Sequence, residues 1–123
     1  VLENNRDWEI STAYYAMYFS VYALLTSIGI KSELHSCTLH CMNTFLKKFI
    51  SREHRDIIIT AQKARIDTQY YSNRNVSEEK YKTITTNVVD IVAACKECRH
   101  KFTEKEIKSI RLRLKSLLKP QHS

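Results

Sequence analysis

The pattern of apolar positions is strongest in the stretch from Trp8 to Ile28. These 21 residues contain no proline, no glycine and a single charge, Glu9. Two rows of mostly apolar side chains recur in it at helical spacing. The Trp8 row comprises Trp8, Thr12, Tyr15, Phe19 and Tyr22. The Tyr14 row comprises Tyr14, Tyr18, Val21, Leu25 and Ile28. A helix with one apolar stripe lies on a surface, whereas a helix with two needs cover from two sides. The pattern therefore predicts the central helix of a bundle.

The same stretch is long enough to raise the question of a membrane span, which needs about 20 apolar residues. Its four tyrosine hydroxyls, together with several serine and threonine hydroxyls, make it too polar for that role. We therefore predict that the chain has no membrane-spanning segment.

Apolar residues recur every three or four positions in four later stretches. They predict a second helix over 36–50, a third over 56–71, a fourth that begins after Ser77 and a fifth over about 103–119. The side chains expected to face the core are Leu39, Met42, Phe45, Leu46 and Phe49, then Ile57, Ala61, Ala64 and Thr68, then Tyr81, Ile84, Val88, Ile91, Cys95 and Cys98, and finally Ile107, Ile110, Leu114 and Leu117.

Several residues carry the chemistry of helix ends. The asparagine and aspartate side chains of residues 4–7 are candidate caps for the first helix. Gly29, the single glycine, stands where a left-handed residue would end that helix. The charged segment 51–55 is expected to form a corner. Ser77 is a candidate N-cap, and the TEKE sequence at 103–106 is a capping box.

One glycine and one proline in 123 residues leave little material for tight turns, and alternating strand patterns are absent. The predicted fold class is therefore all-α, an up-and-down antiparallel bundle of four to five helices that forms a single domain over 1–123. No signal peptide is visible, which favours a cytoplasmic location. Because the chain begins at Val1 rather than methionine, we expect residues ahead of it.

The four cysteines form two pairs at helical spacing. Cys37 and Cys41 are four residues apart, and Cys95 and Cys98 are three apart. Free thiols in the core are the favoured interpretation, because such spacing places both sulfurs of a pair on one helix face. A disulfide and a zinc site that includes His40 or His100 are the alternatives. We expect no metal and no cofactor.

The formal charge of +7 is concentrated near the C-terminus, where eight Lys or Arg residues follow Cys98 against two carboxylates. Such a basic segment attracts polyanions, either nucleic acid or an acidic partner. The candidate phosphate contacts are Lys105, Lys108, Arg111 and Lys115. The alternative is that these four residues form only the solvated face of an amphipathic helix.

Most familiar catalytic signatures are absent, since a single glycine excludes a glycine-rich phosphate loop and no paired HExxH occurs. What remains is the polar segment RIDTQYY, residues 65–71, together with His35. Arg65 could instead pair with a local carboxylate such as Asp67. Likewise, Tyr70 and Tyr71 could be packing residues, and His35 could cap the second helix.

The order and spacing of these motifs resemble the HEPN family of small helical-bundle proteins. The resemblance covers about residues 8 to 98, and Ser77 and Glu78 open a helix where the family has a similar start. The matching residues are Ala13-Tyr14-Tyr15-Ala16-Met17, Leu24-Leu25, Gly29, His35-Ser36, Arg65 and Tyr70.

The resemblance implies a bundle that dimerises, which would let Arg65 and Tyr70 of both subunits line one cleft. Some family members are metal-independent ribonucleases, often the toxin half of a pair with a minimal nucleotidyltransferase antitoxin. Their motif is an Arg followed four to six residues later by a His, but this chain has Tyr70 at that position. The resemblance thus makes Arg65, Tyr70 and His35 the candidate catalytic residues and Tyr70 or Tyr71 a candidate nucleotide acceptor. The alternative that it leaves open is a non-catalytic dimeric bundle that binds a nucleotide, RNA or a partner protein.

Overall fold

The part of the chain that the structure describes folds into a bundle of five α-helices. The structure, a computed structural model, describes residues 2–71 and 75–118, and no strand occurs in these two ranges. The all-α prediction is confirmed. No helix in the described part of the chain is long and apolar enough to cross a membrane. The helices are α1 (Leu2–Ser27), α2 (His35–Phe45), α3 (Arg52–Tyr70), α4 (Glu78–Arg99) and α5 (Glu104–Leu118).

Three boundaries differ from the sequence prediction. Helix α1 already begins at Leu2, so residues 4–7 lie inside it and do not cap it. Helix α2 ends at Phe45 rather than Ile50, because the amides of Phe49 and Ile50 both donate to the carbonyl of Leu46 and close a turn. This turn carries Leu46 and Ile50 into the core. Segment 51–55 is no corner, since α3 begins there.

The predicted helix-end signals at three other places are present. Gly29 has a φ of 92°, the left-handed conformation expected after α1. The side chain of Ser77 accepts a hydrogen bond from the amide of Lys80. Thr103 and Glu106 form the reciprocal capping box ahead of α5. At the start of α3, Ser51 accepts from the amide of His54, a cap that the prediction missed. Most of the predicted loop over 72–76 lies outside the described residues.

Helix α1 is the centre of the bundle and packs against α2, α3 and α4. Its Tyr14 row is buried along its whole length. Its Trp8 row is not. Trp8 is 74% exposed and Phe19 is 56% exposed, and Thr12 and Tyr15 are exposed as well. Tyr22 is the one residue of this row that packs against the core. The helices that the structure describes therefore cover α1 on one side only, and cover over the Trp8 row stays a prediction.

Helices α1 and α4 lie side by side with their N-terminal halves together. Arg6 forms a 2.5 Å ion pair with Glu78 and lies 4.3 Å from the centre of the Tyr81 ring. The Tyr81 hydroxyl donates a short hydrogen bond to Glu9. Further along α4, the predicted core residues Ile84, Ile91, Cys95 and Cys98 are all buried.

All four cysteines are free thiols. Cys95 and Cys98 belong to the core as predicted, and burial raises the pKa of the Cys95 thiol to about 12. Cys37, however, is exposed, so the core interpretation is wrong for that residue. Among the described residues, no group of three or more His, Cys, Asp or Glu side chains is arranged to hold a metal ion.

Helix α5 packs across the ends of α1 and α2. Ile110 is buried, and Ile107 and Leu114 are partly buried against the core. Leu117 is 67% exposed, so the predicted apolar stripe ends one turn early.

Candidate functional site

A polar cluster occupies the place where α1, α2 and α3 meet. It consists of Tyr14 and Tyr15 from α1, His35 from α2, and Arg65 and Gln69 from α3, and is called the Arg65 cluster below. The two consecutive tyrosines are about 100° apart around α1, and Tyr14 is fully buried whereas Tyr15 is 36% exposed. Arg65 follows the buried Ala64 and therefore lies at the edge of the α1–α3 contact.

Arg65 is held by neutral partners. Its Nη1 donates to the Tyr15 hydroxyl at 3.2 Å and to Gln69 Oε1 at 2.5 Å. The guanidinium carbon lies 5.4 Å from the centre of the Tyr14 ring and 5.3 Å from that of Tyr15, which is cation–π distance. The Nε atom is buried without a hydrogen-bond partner.

No carboxylate in the described part of the chain forms an ion pair with Arg65. The alternative in which Arg65 pairs with Asp67 is therefore not what the structure shows. A half-buried guanidinium usually has a compensating anion, because removing a charge from water costs free energy that an unpaired group does not recover. Arg65 keeps its positive charge and at least one unused donor.

His35 is the first residue of α2 and is bonded to α1. Its Nδ1 lies 2.8 Å from the Tyr14 hydroxyl, and its ring stacks on Tyr18 with centres 3.9 Å apart. Burial, followed by the positive charge of Arg65, lowers the pKa of His35 below its usual 6.5. The imidazole is therefore neutral at neutral pH. His35 does not cap α2, because the cap residue is Leu34.

Tyr14 connects His35 to Arg65 and was not among the residues singled out from the sequence. Its hydroxyl bonds to His35, and its ring lies beside the guanidinium of Arg65. Burial, partly opposed by Arg65, raises the pKa of Tyr14 to about 12, so the phenol keeps its proton at neutral pH. The available signal was the AYYAM motif, which contains Tyr14 and Tyr15 but was used only to identify the family.

Tyr70 and Tyr71 lie at the far end of α3 and are 65% and 43% exposed. Tyr70 is five positions after Arg65, which places it about 140° around the helix from Arg65. Within the described residues, no hydrogen bond or ring contact joins Tyr70 to Arg65 or His35. The structure thus brings His35 and Arg65 together around Tyr14, and it places Tyr70 on another face.

The four basic residues predicted on the fifth helix are not equivalent. Lys105, Lys108 and Lys115 are exposed on its outer side. Arg111 instead donates from Nε to the carbonyl of Ile28 at 2.9 Å. Its guanidinium lies directly over Gly29. This hydrogen bond therefore holds α5 against the end of α1.

The fold and the cluster define an all-helical module whose polar site is built on its central helix. The HEPN domain model matches residues 2–98, well over half of the chain, and the chain belongs to the HEPN family. This confirms the resemblance noted in the sequence and identifies the chain as a nucleotide- or RNA-related module. Searches of curated proteins and of solved structures found no match. Helix α5 lies beyond the matched residues.

Proposed function

We propose that this chain is a nucleotide- or RNA-binding module whose Arg65 cluster contacts a phosphate group. The observation that carries the proposal is the charge of Arg65. Among the residues that the structure describes, its guanidinium has no carboxylate partner and its Nε has no hydrogen-bond partner. An arginine in this state offers a planar fork of donors that matches a phosphate.

The surroundings of Arg65 suit a nucleotide better than a bare phosphate. Tyr15 is 36% exposed, and its ring centre lies 5.3 Å from the guanidinium carbon of Arg65. Exposed aromatic rings beside a cation are the elements that bind nucleotides in single-stranded nucleic acids, because a base can stack on the ring while the cation holds the phosphate.

Nucleotide binding by Arg65 variants tests this proposal. A fluorescent nucleoside triphosphate should bind the wild type, and Arg65→Ala should weaken it by about ten- to hundredfold, the effect of about 1.5–3 kcal/mol expected for a charge-assisted hydrogen bond. Arg52→Ala on the same helix is the matched control, because Arg52 is an exposed surface arginine near Asp56. Equal affinity of Arg65→Ala and the wild type would contradict the proposal.

Metal-independent RNA cleavage is a second candidate function, favoured by the neutral imidazole of His35 near Arg65. In that reaction Arg65 would stabilise the charge on the phosphate, and His35 would assist the transfer of the proton from the 2′-hydroxyl. Total RNA incubated with the protein and EDTA distinguishes the two functions. Cleavage that is lost in both Arg65→Ala and His35→Ala supports the enzyme. Intact RNA in the wild type supports the binding module.

The proposal extends to a cytoplasmic toxin–antitoxin setting with a minimal nucleotidyltransferase as partner. Tyr70 is the better candidate acceptor for a transferred nucleotide because it is the more exposed of the two tyrosines at the end of α3. Mass spectrometry after incubation with such an enzyme and its nucleotide should show an adduct. The adduct should disappear in Tyr70→Phe and persist in Tyr71→Phe.

We also propose a homodimer that forms through the Trp8 row. The row leaves a tryptophan and a phenylalanine more than half exposed on the central helix, and contiguous exposed apolar side chains commonly mark interaction surfaces. Tyr15 belongs both to this row and to the Arg65 cluster. A two-fold contact along the row would therefore bring the Arg65 clusters of both subunits towards one cleft.

A further inference from the structure

A second group of cations surrounds a cleft between the end of α2 and α5. The cleft has a volume of about 240 Å³ and shares no lining residue with the Arg65 cluster. Its cations are Lys47 and Lys48 from the turn after α2 and Arg113 from α5. Helix α5 lies outside the residues matched by the family model, so Arg113 and its neighbours supply a wall of the cleft from beyond that match.

The charge of the cleft is strongly positive. Glu106 is its only carboxylate among the described lining residues, and Oε1 of Glu106 already accepts hydrogen bonds from the amide and hydroxyl of Thr103. None of the three cations forms an ion pair within the part of the chain that the structure describes. Like charges gathered in one cleft repel one another, and an anion bound between them removes that repulsion.

The cations stand on ordered parts of the fold. The guanidinium carbon of Arg113 lies 5.3 Å from the centre of the Phe45 ring, a cation–π contact that keeps it at the edge of the cleft. Lys47 and Lys48 belong to the turn that the amides of Phe49 and Ile50 close on the carbonyl of Leu46, each at 3.0 Å. A guanidinium that is already held in place, as that of Arg113 is, loses less conformational entropy when its ligand binds.

The size of the cleft narrows the choice of ligand. Clefts that enclose a whole small molecule measure roughly 300–1,000 Å³, and this one is smaller and open to solvent. It therefore suits one segment of a longer anionic chain. Arginine and lysine together are the usual contacts of phosphodiesters, the arginine through its fork and the lysines as point charges.

We propose that the cleft formed by Lys47, Lys48 and Arg113 binds the phosphodiester backbone of a nucleic-acid strand. This site shares no lining residue with the Arg65 cluster, so phosphate binding in the cleft can be tested independently of the proposed function. It also differs from the outer face of α5 that the sequence suggested, since Lys105, Lys108 and Lys115 lie on the opposite, solvent-facing side of that helix from the buried Ile110.

Two variants with equal charge test the proposal. The cleft variant carries Lys47→Gln, Lys48→Gln and Arg113→Gln. The outer variant carries Lys105→Gln, Lys108→Gln and Lys115→Gln. Each loses three positive charges, so a purely diffuse attraction would weaken both equally. The measurement is the fluorescence anisotropy of a labelled oligouridylate over a series of KCl concentrations.

The cleft variant should bind the oligouridylate about tenfold or more weakly at low salt. The slope of its log affinity against log salt concentration should also be smaller in magnitude than that of the wild type by about 2, because each lost phosphate contact removes about 0.7 from the slope for a single strand. The outer variant should change the slope by less than half as much. Arg52→Ala, a change at an exposed arginine outside both sites, should retain most of the wild-type slope. Circular dichroism and thermal unfolding check the fold of each variant, and the Lys47→Gln, Lys48→Gln double variant replaces the triple one if Arg113 proves necessary for folding.

Four results would overturn the proposal. These are no salt-dependent binding by the wild type, equal weakening in the cleft and outer variants, loss of the slope in Arg52→Ala, and equally strong competition by polyglutamate. The last result would mean that the cleft takes an acidic protein rather than a nucleic acid.

Discussion

At the scale of single residues, the Arg65 cluster depends on a tyrosine that the sequence presents as an ordinary core aromatic. Arg65 and His35 were singled out because they stand at recurrent positions of a family motif. Tyr14 belongs to the buried row of α1, and burial alone is what its spacing predicts. That its hydroxyl reaches His35, 21 positions later, depends on how α1 and α2 cross. Helical periodicity contains no information about that crossing.

The same contact links the stability of the protein to pH through His35. Burial and Arg65 lower the pKa of His35 in the folded chain, whereas the unfolded chain keeps the usual 6.5. Its contribution to the free energy of unfolding is therefore fully present above about pH 6.5 and is lost as the pH falls from there through the folded pKa. We expect the thermal unfolding temperature of the wild type to fall more between about pH 7.5 and about pH 5.5 than that of His35→Gln.

His40→Gln is the matched control for this measurement. His40 lies on the same helix but is exposed, so its replacement should leave the wild-type pH dependence nearly unchanged. If the thermal unfolding temperatures of His35→Gln and the wild type fell equally over this pH range, His35 would not be the group that links stability to pH.

At the scale of helices, the ends with local chemical signals could be predicted and the others could not. Ser77, Gly29 and the Thr103–Glu106 box act within one turn of chain, and all are present as expected. No local chemical signal of this kind marks the end of α2 at Phe45. Leu46 and Phe49 continue the helical spacing, yet they reach the core from a turn. Tertiary packing decides that boundary, because the turn buries Leu46 and Ile50 as well as a helix would.

Gly29 ends α1, and the guanidinium of Arg111 also occupies the space that a side chain at position 29 would need. A Cβ on Gly29 would lie 2.6 Å from Nη2 of Arg111, and the positive φ disfavours any other residue. We expect Gly29→Ala to lower the free energy of unfolding by about 1–2 kcal/mol from the backbone conformation alone. Displacement of Arg111 from the carbonyl of Ile28 adds to this cost. Urea unfolding measures the total.

The steric part of this effect is separable by a double-mutant cycle. In an Arg111→Ala background the alanine at position 29 meets no guanidinium, so Gly29→Ala should cost less there than in the wild type. Equal costs in the two backgrounds would show that a side chain at position 29 is not energetically coupled to Arg111.

At the scale of the whole molecule, the amphipathic patterns were sufficient to predict an all-helical bundle around α1, but not its outer limits. The Tyr14 row is buried by α2, α3 and α4, as its spacing requires. The Trp8 row has the same spacing and the same aromatic character, yet the described helices leave it exposed. Periodicity shows that a helix face is apolar. It does not show whether the cover comes from the same chain.

The exposed Trp8 row predicts how the protein assembles. If the row is the dimer contact, a charge in its middle should separate the subunits, because an unpaired carboxylate buried in an apolar interface costs several kcal/mol. We expect Phe19→Glu to raise the dimer dissociation constant at least about tenfold, as is usual for a central aromatic residue of an interface. Val89→Glu is the matched control, since Val89 is 74% exposed on α4 and lies outside the row. Sedimentation equilibrium should show dimers for the wild type and Val89→Glu and monomers for Phe19→Glu. A wild type that remains monomeric at high concentration would instead assign the row to a different partner, and the Arg65 cluster would then have to act within one subunit.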